Sequence, residues 1–422
     1  MEQKTYPIDK HHFPIDLIDP QALQILDKFH QAGFTAYLVG GSVRDLLLQH
    51  RPKDFDISTS AKPEEIKKIF RNCILIGKRF RLAHIRYGKK VFEVSTFRAG
   101  NTESDTLIIR DNEWGSPEED ALRRDFTING LFYDHVNKTI IDYVGGYQDI
   151  QKKYLRTIGQ PFLRFKQDPV RMIRLLKFQA RLGFDVDSDT HVALLDCRSE
   201  ILKSSPARIL EELLRMLESG AATSFFRLLL EHGFIQQLLP VVGEYIEHSE
   251  GEEIYAYLRE IDSSFKEAEK APLDRAILLS CLAYPLLQNR IQHNYIDRNR
   301  PIHLGEIQGE ASDLLDGIFR LFFHVPRRLR IMVISILTSQ YRLTPIEKKR
   351  SKRLRIPNDP NFQLALQFLE IRSCLEPGLQ VVFEEWNSAF HRRVRDASKK
   401  RKRKNHHDEP KSQTPHAPNS ES

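Results

Sequence analysis

The stretch 37–59 constrains this chain most, because it reads as a strand, a glycine turn, a short helix and a second strand. The apolar strand residues end at Gly40 and Gly41, and glycine is the residue that readily adopts the left-handed or close-approach backbone of such a turn. Residues 42–48 then have a helix-forming composition. A helix that begins directly after two glycines directs free backbone N–H groups at an anion. The predicted anion site consists of Gly40, Gly41, Ser42 and Arg44.

Two aspartates follow on the predicted second strand. Asp54 and Asp56 flank Phe55, so the two carboxylates share one face of the strand and the ring turns to the other, toward the core. Carboxylates this close repel each other unless cations lie between them. Oxygen ligands beside a phosphate site suit Mg²⁺, and two such ions stabilise the attacking and leaving oxygens of an in-line displacement. Taken alone, each motif is more often a plain turn or a solvated strand end.

Further charged residues could complete this site. Glu93 lies on one face of a predicted strand over 91–97, where it is either a third carboxylate ligand or a solvated edge residue. Arg123 and Arg124 precede Asp125, and guanidinium groups suit phosphate while a carboxylate suits a ribose hydroxyl. A surface ion pair is the simpler alternative for these three charges. The polar loop before them, residues 99–118, is predicted to be mobile and to lie over the site.

A third charged cluster opens a predicted helix. Asp168 precedes Pro169, which is the pattern of an N-cap followed by proline in the first turn. Arg171 and Arg174 are three residues apart and therefore project from one side of that helix. From these residues alone, capping of the helix is the expected role of Asp168.

In this order and spacing, the motifs resemble the signature of the DNA polymerase beta nucleotidyltransferase superfamily. The matching text is Gly-Gly-Ser-Val-Arg-Asp at 40–45, Asp-Phe-Asp at 54–56 and Arg-Arg-Asp-Phe-Thr-Ile-Asn at 123–129. The branch is the one that holds bacterial poly(A) polymerases and tRNA CCA-adding enzymes. The resemblance implies ATP as a substrate and two Mg²⁺ ions held by Asp54 and Asp56. It implies four catalytic carboxylates, Asp54, Asp56, Glu93 and Asp125, of which the last two are alternatives for the third metal ligand. It also implies a nucleotide site formed by Gly40, Gly41, Ser42, Arg44, Arg123, Arg124, Asp168, Arg171 and Arg174.

Two further features favour poly(A) addition over CCA addition. The segment 75–85, Leu-Ile-Gly-Lys-Arg-Phe-Arg-Leu-Ala-His-Ile, resembles a segment typical of bacterial poly(A) polymerases, and so does the basic run 399–404. The expected activity is template-independent transfer of AMP from ATP to RNA 3′ ends, in RNA processing and decay. The alternative in the same family is a CCA-adding or A-adding tRNA nucleotidyltransferase. The alternative from another class is a non-catalytic RNA-binding protein on the same scaffold.

The predicted fold class is α+β, with a small mixed-sheet nucleotidyltransferase head, an all-α neck and body, and a disordered basic C-terminal tail. The expected segments are an irregular 1–18, a head over 19–147, a neck over 148–222, an RNA-binding body over 223–395 and the tail over 396–422. The 422 residues carry a net charge of +7, which suits a polyanionic partner. The partners implied are the 3′ ends of messenger RNA, small RNA and tRNA, with RNA-degradation machinery as a candidate protein partner.

The compartment is predicted from two absences in the sequence. The four cysteines are widely spaced and show no CxxC pair, which is typical of a reducing compartment. The chain has neither an apolar leader nor a run long enough to span a bilayer. These features predict a cytoplasmic protein with no membrane association.

Overall fold

The computed structural model describes residues 3–7, 10, 13–77, 82–99, 113–248, 251–266, 272–346 and 354–407, with side chains described up to 395. The chain divides into two compact units, residues 1–240 and 241–422. The predicted boundaries near 147 and 222 stay predictions. No helix within the described ranges is long and apolar enough to cross a membrane.

The first unit is built on an eight-stranded mixed sheet with the order β1-β10-β9-β2-β3-β6-β5-β4. Its strands are β1 (Lys4–Pro7), β2 (Ala36–Val39), β3 (Asp56–Thr59), β4 (Cys73–Ile76), β5 (Leu82–Tyr87), β6 (Lys90–Thr96), β9 (Leu131–Asp134) and β10 (Thr139–Asp142). Strands β3 and β6 pair in parallel, and the other neighbours pair antiparallel. Two short pairs stand apart, β7 (Arg98–Ala99) with β8 (Glu113–Trp114) and β11 (Tyr154–Leu155) with β12 (Asp185–Val186).

Helices cover the sheet and continue beyond it. They are α1 (Pro20–Gln31), α2 (Gly41–Leu47), α3 (Pro63–Ile69), α4 (Pro117–Leu122), α5 (Gly146–Lys152), α6 (Pro161–Gln167), α7 (Val170–Leu182), α8 (Ser188–Asp196), α9 (Pro206–Leu217), α10 (Ala222–Glu231) and α11 (Phe234–Leu238). The side chain of Asp19 caps α1 by accepting a hydrogen bond from the backbone N–H of Gln21. Phe29 of α1 packs on Phe70 in the core beneath the sheet.

The regular elements among the described residues of the second unit are all helices. Its helices are α12 (Pro240–Glu247), α13 (Gly251–Lys266), α14 (Arg275–Ile291), α15 (Leu304–Phe319), α16 (Arg327–Leu343), α17 (Phe362–Leu375) and α18 (Leu379–His407). Helix α18 continues past residue 396, where the disordered tail was predicted to begin, because lysine and arginine are good helix formers. The rest of that predicted tail, 408–422, lies outside the described residues. The mixed sheet followed by helices confirms the predicted α+β class.

Candidate active site

The glycine turn has the predicted shape. Strand β2 ends at Val39, Gly40 has φ 68° and ψ −129°, and helix α2 begins at Gly41. That backbone conformation is accessible to glycine and strongly disfavoured for other residues. The hydroxyl of Ser42 is buried and donates to the carbonyl of Val39 at 3.0 Å, which closes the turn. A Cβ on Gly40 would lie 3.0 Å from Nη1 of Arg124, so this guanidinium lies directly against the turn.

Alanine at Gly40 tests this close approach. We expect Gly40→Ala to lose about 1–2 kcal/mol of stability from the positive φ alone. We also expect kcat/KM for ATP to fall at least roughly tenfold, because the new methyl group displaces the guanidinium of Arg124. Gly33→Ala is the matched control, since Gly33 has φ 81° with open space around its Cβ position. If both variants keep wild-type kcat/KM for ATP, Arg124 has no role above the turn.

The Asp-x-Asp motif lies beside the end of β2, and one detail of its prediction is wrong. Strand β3 begins at Asp56, so Asp54 lies in the loop before the strand. The reason is the pairing register: Asp56 pairs with Val39, and beyond Val39 the partner strand turns away at Gly40. The alternation of side chains is as predicted, with both aspartates exposed and Phe55 buried.

Glu93 is the acidic neighbour of this motif. The parallel register pairs Ile57 with Val94, which places Asp56 beside Glu93 on the adjoining strand. Desolvation and the negative charge of Glu93 raise the pKa of Asp56 to about 6, and Asp54 adds to the rise while Arg124 opposes it. Glu93 and Asp54 therefore both lie within electrostatic reach of Asp56.

These carboxylates fit the chemistry of divalent metal ions. The described residues contain no ready-made group of three His, Cys, Asp or Glu side chains that could hold a metal ion. However, repulsion among Asp54, Asp56 and Glu93 is relieved when a cation lies between them, and carboxylate oxygens are the ligands that Mg²⁺ prefers. The assignment of Asp54 and Asp56 as Mg²⁺ ligands thus stays a prediction, and the arrangement of the carboxylates is consistent with it.

Of the paired arginines, Arg124 lies next to the carboxylates. Arg124 donates to Asp120 at 2.8 Å and to the hydroxyl of Ser58 at 3.4 Å, on the strand that carries Asp56. Arg123 lies 3.7 Å from the other oxygen of Asp120. Burial and the nearby charges of Arg98, Arg124 and Arg171 lower the pKa of Arg123 to about 10. Such a concentration of positive charge beside a glycine turn attracts a polyanion.

Asp125 is held by Arg174 of helix α7. Its carboxylate accepts hydrogen bonds from Arg174 at 2.8 Å and 2.5 Å, from the side chain of Asn129 at 3.0 Å and from the backbone of Phe126 at 2.8 Å. Burial alone would raise the pKa of Asp125, but the Arg174 guanidinium holds it well below its usual range. Arg174 also pairs with Glu212 at 3.3 Å. Glu93 and Asp125 were the two candidates for the third metal ligand. The structure places Glu93 beside Asp56, whereas Asp125 is bonded to Arg174.

Asp168 does not cap its helix, so that alternative prediction is wrong. Helix α7 begins at Val170 without a side-chain cap, and both oxygens of Asp168 accept hydrogen bonds from Arg208 at 2.9 Å. The bidentate pair orients the carboxylate away from the helix end. Arg171 is buried and donates through Nη2 to the carbonyl of Arg123 at 3.2 Å. Its Nη1 is buried and has no hydrogen-bond partner among the described residues.

Arg44 lies below the glycine turn. Its guanidinium is 4% exposed, donates to Asp45 at 2.6 Å and to Asn129 at 2.7 Å, and lies over the ring of Phe178. These contacts join α2 to the segment after Asp125. The predicted contact between Arg44 and a phosphate stays a prediction.

Three residues of this site were missed by the sequence reasoning. Arg208 orients Asp168, Asp120 joins the two arginines, and Arg164 donates to the carbonyls of Arg123 and Arg124 at 2.8 Å. The contact of Asp120 with Arg124 could have been predicted from local spacing, because Asp120 precedes Arg124 by one helical turn. The contacts of Arg164 and Arg208 cross between distant segments and leave no mark in local spacing.

Comparison with known proteins agrees with this geometry. The family model "Poly A polymerase head domain" matches residues 36–156, "Probable RNA and SrmB- binding site of polymerase A" matches 183–246, and "Polymerase A arginine-rich C-terminus" matches 320–420. Poly(A) polymerase I of Salmonella typhi is 36% identical over 401 residues, which cover 91% of this chain and 85% of the relative. The chain belongs to the bacterial poly(A) polymerase family. This confirms the resemblance drawn from the motifs.

Members of the poly(A) polymerase family share their head with CCA-adding enzymes, and the comparisons show this too. The CCA-adding enzyme of Staphylococcus epidermidis is 37% identical over 215 residues, which cover 50% of this chain and 52% of that enzyme. The crystal structure of the Bacillus stearothermophilus CCA-adding enzyme in complex with CTP is similar with a TM-score of 0.60, at 26% identity over 89% of this chain and 83% of that one.

Proposed function

We propose that this protein adds AMP from ATP to the 3′ ends of RNA without a template. The observation that carries the proposal is a cluster of charges at the glycine turn. Three carboxylates, Asp54, Asp56 and Glu93, lie there close to the arginine pair Arg123 and Arg124. The chain that holds this cluster belongs to the poly(A) polymerase family. Intact carboxylates and arginines argue against a scaffold that only binds RNA.

The transfer forms one bond and breaks another. The primer 3′ oxygen attacks the α-phosphorus of ATP, the bond to the β-phosphate oxygen breaks, and pyrophosphate leaves. Asp54, Asp56 and Glu93 would hold two Mg²⁺ ions, which supply activation of the 3′-hydroxyl and charge stabilisation of pyrophosphate. Arg123 and Arg124 bind the triphosphate, with the backbone of Gly40 and Gly41 beside them. The carbonyl contacts from Arg164 keep that arginine pair in place.

Base selection is assigned to α7 and its surroundings. The unpartnered buried Nη1 of Arg171 is a donor that an acceptor on the base edge would satisfy. Asp168 is held in one orientation by Arg208, so it can meet only a base whose amine fits that position. Arg174 is occupied by Asp125 and Glu212, and we assign it to holding the site together.

Poly(A) addition is favoured over CCA addition by the extent of similarity. The poly(A) polymerase relative aligns over 91% of this chain, whereas the CCA-adding relative aligns over 50%. RNA 3′ ends are the proposed substrates, and the region 183–246 is proposed to bind RNA, consistent with the family description. Recruitment by RNA-degradation machinery remains a proposal of the same kind, as does a requirement for two Mg²⁺ ions.

Primer extension tests the proposed function. Two labelled primers, an unstructured RNA and a tRNA that ends before CCA, are incubated with Mg²⁺ and with ATP, CTP or both. We expect long tails on the unstructured RNA with ATP alone, and no extension by the Asp56→Asn variant. Addition that stops after C, C and A, and occurs only on the tRNA, would replace poly(A) polymerase by CCA-adding enzyme.

A further inference from the structure

One half of the large sheet has a continuous face that begins at the catalytic carboxylates. The strand registers place Asp56, Glu93, His84 and Ile74 side by side across β3, β6, β5 and β4. Nε2 of His84 lies 3.5 Å from Oε1 of Glu93. The residues that alternate with these, such as Ala83, Ile85 and Phe92, are buried on the other face, against α3 among other elements.

This face presents large apolar side chains to solvent. Ile74 is 44% exposed, Ile76 is 42% exposed and Val91 is 45% exposed. Ile76 pairs with Leu82 and Val91 pairs with Arg86, so these two pairs flank the first row on its opposite sides. Clustered apolar exposure beside a functional site marks a surface that contacts a partner.

We propose that this face is a platform for the nucleotides that precede the 3′ end of a single-stranded RNA primer. Its members are Ile74, Ile76, Leu82, Arg86 and Val91. The inference rests on the proposed function, because the platform starts at the carboxylates where the 3′ oxygen reacts. Three strand spacings of ~4.8 Å separate β3 from β4, about 14 Å in all. A four-stranded sheet face holds roughly two or three bases that lie flat on it, which fits this length.

The chemistry of the platform matches unpaired RNA. Every base has an apolar ring face, which packs on aliphatic side chains without regard to sequence. Arg86 is exposed at the margin of the platform and can pair with a backbone phosphate. A base-paired end hides its ring faces in the stack, so the platform favours unstructured 3′ ends.

The segment 75–85 contributes to this platform. Ile76 is the last residue of β4 and Leu82 is the first residue of β5, so two of the five platform residues belong to the segment. We assign these two residues to binding the primer, whereas nucleotide selection is assigned to α7.

The test is the double variant Ile74→Glu/Ile76→Glu, with Val136→Glu as the control. Val136 is 54% exposed in the turn between β9 and β10, at the other side of the sheet order. We expect KM for an unstructured 12-nucleotide RNA to rise roughly tenfold or more, because the variant loses two apolar contacts and places two negative charges beside the RNA backbone. KM for ATP and kcat at saturating RNA should stay within twofold of wild type. The control variant should match wild type in all three.

Primer length gives the second readout. The ratio of variant to wild-type KM should be near one for a dinucleotide primer and should rise until the primer covers the platform. Binding of a fluorescein-labelled RNA, followed by anisotropy without ATP, should weaken by the same factor. Equal RNA binding by the double variant and wild type would overturn the platform, and so would a loss that is independent of primer length, as expected for a protein partner surface or a folding defect.

The two proposals fail in different ways. A wild-type protein that binds RNA but transfers no AMP contradicts the proposed function, while the anisotropy measurement still tests the platform. An active enzyme whose double variant binds RNA normally contradicts the platform alone.

Discussion

Replacement of Asp56 by asparagine is expected to abolish AMP transfer and to raise the melting temperature of the metal-free protein. Transfer should fall about 10³-fold or more, the scale seen when a group that stabilises transition-state charge is removed. The gain in stability has a separate cause. Partial desolvation by the neighbouring segments and the charges of Glu93 and Asp54 raise the pKa of Asp56 from 3.8 to about 6, so its ionised form is unfavourable in the folded protein.

The stability effect of Asp56→Asn should depend on pH in a defined direction. In wild type the charged carboxylate destabilises the folded state fully above about pH 6, and this cost vanishes as the pH falls toward 3.8, where the unfolded chain also binds the proton. Because the side chain is open to solvent, we expect only about 1 kcal/mol. That corresponds to a rise in melting temperature of about 2–4 °C at pH 7.5 and none near pH 4.

Thermal unfolding with EDTA or with Mg²⁺ measures this directly. Mg²⁺ should stabilise wild type and leave Asp56→Asn unchanged, because a ligand stabilises only the state that binds it. Asp185→Asn, an exposed aspartate on β12, serves as the control and should lose neither activity nor the response to Mg²⁺. An active Asp56→Asn protein would contradict the assignment of this residue, whatever its stability.

The local parts of the site could be predicted from the sequence because short-range rules govern them. The positive φ of Gly40 follows from a turn that needs glycine, and the burial of Phe55 between exposed Asp54 and Asp56 follows from strand alternation. The start of β3 could not be predicted in the same way. It depends on where its partner β2 ends, which is a property of the pairing and not of the residues around Asp54.

The long-range parts of the site escaped prediction for a related reason. Asp168 has every local feature of a helix N-cap, yet its carboxylate is drawn to Arg208, 40 residues away. Arg174 looks like a free cation on a helix surface, and it is instead bonded to Asp125, 49 residues before it. Spacing rules report neighbours along one element, whereas these ion pairs form only after separate elements have packed.

Replacement of Arg174 by methionine should cost about 3 kcal/mol of stability, since breaking a buried ion pair leaves an uncompensated charge. The exposed fraction of the Asp125 side chain is 10%, as is that of Glu212, and Arg174 is bonded to both. The expected fall in melting temperature is roughly 10 °C. Arg215→Met is the matched control, because it breaks the exposed pair with Glu211 and should cost under about 0.5 kcal/mol.

The pH dependence of Arg174→Met should identify Asp125 as the group left unpaired. Arg174 lowers the pKa of Asp125 in the folded state, so wild type gains stability above the unfolded value near 3.8 and loses it as the pH falls below that value. The difference between variant and wild type should therefore be complete at pH 7 and shrink below about pH 4. A nucleotide-binding role for Arg174 predicts another pattern, a raised KM for ATP with the melting temperature unchanged.

A second substitution separates the pair from the packing around it. Asp125→Asn removes the charge that Arg174→Met leaves buried, so the double variant should recover about 1–2 kcal/mol relative to Arg174→Met alone. Asn129 and the backbone of Phe126 can still donate to the asparagine oxygen. Recovery by the double variant would establish that Arg174 acts through Asp125, as a residue that holds the nucleotide-binding segment 123–125 on helix α7. No recovery would mean that the loss lies with Glu212 or with the apolar contact of Arg174 on Phe178.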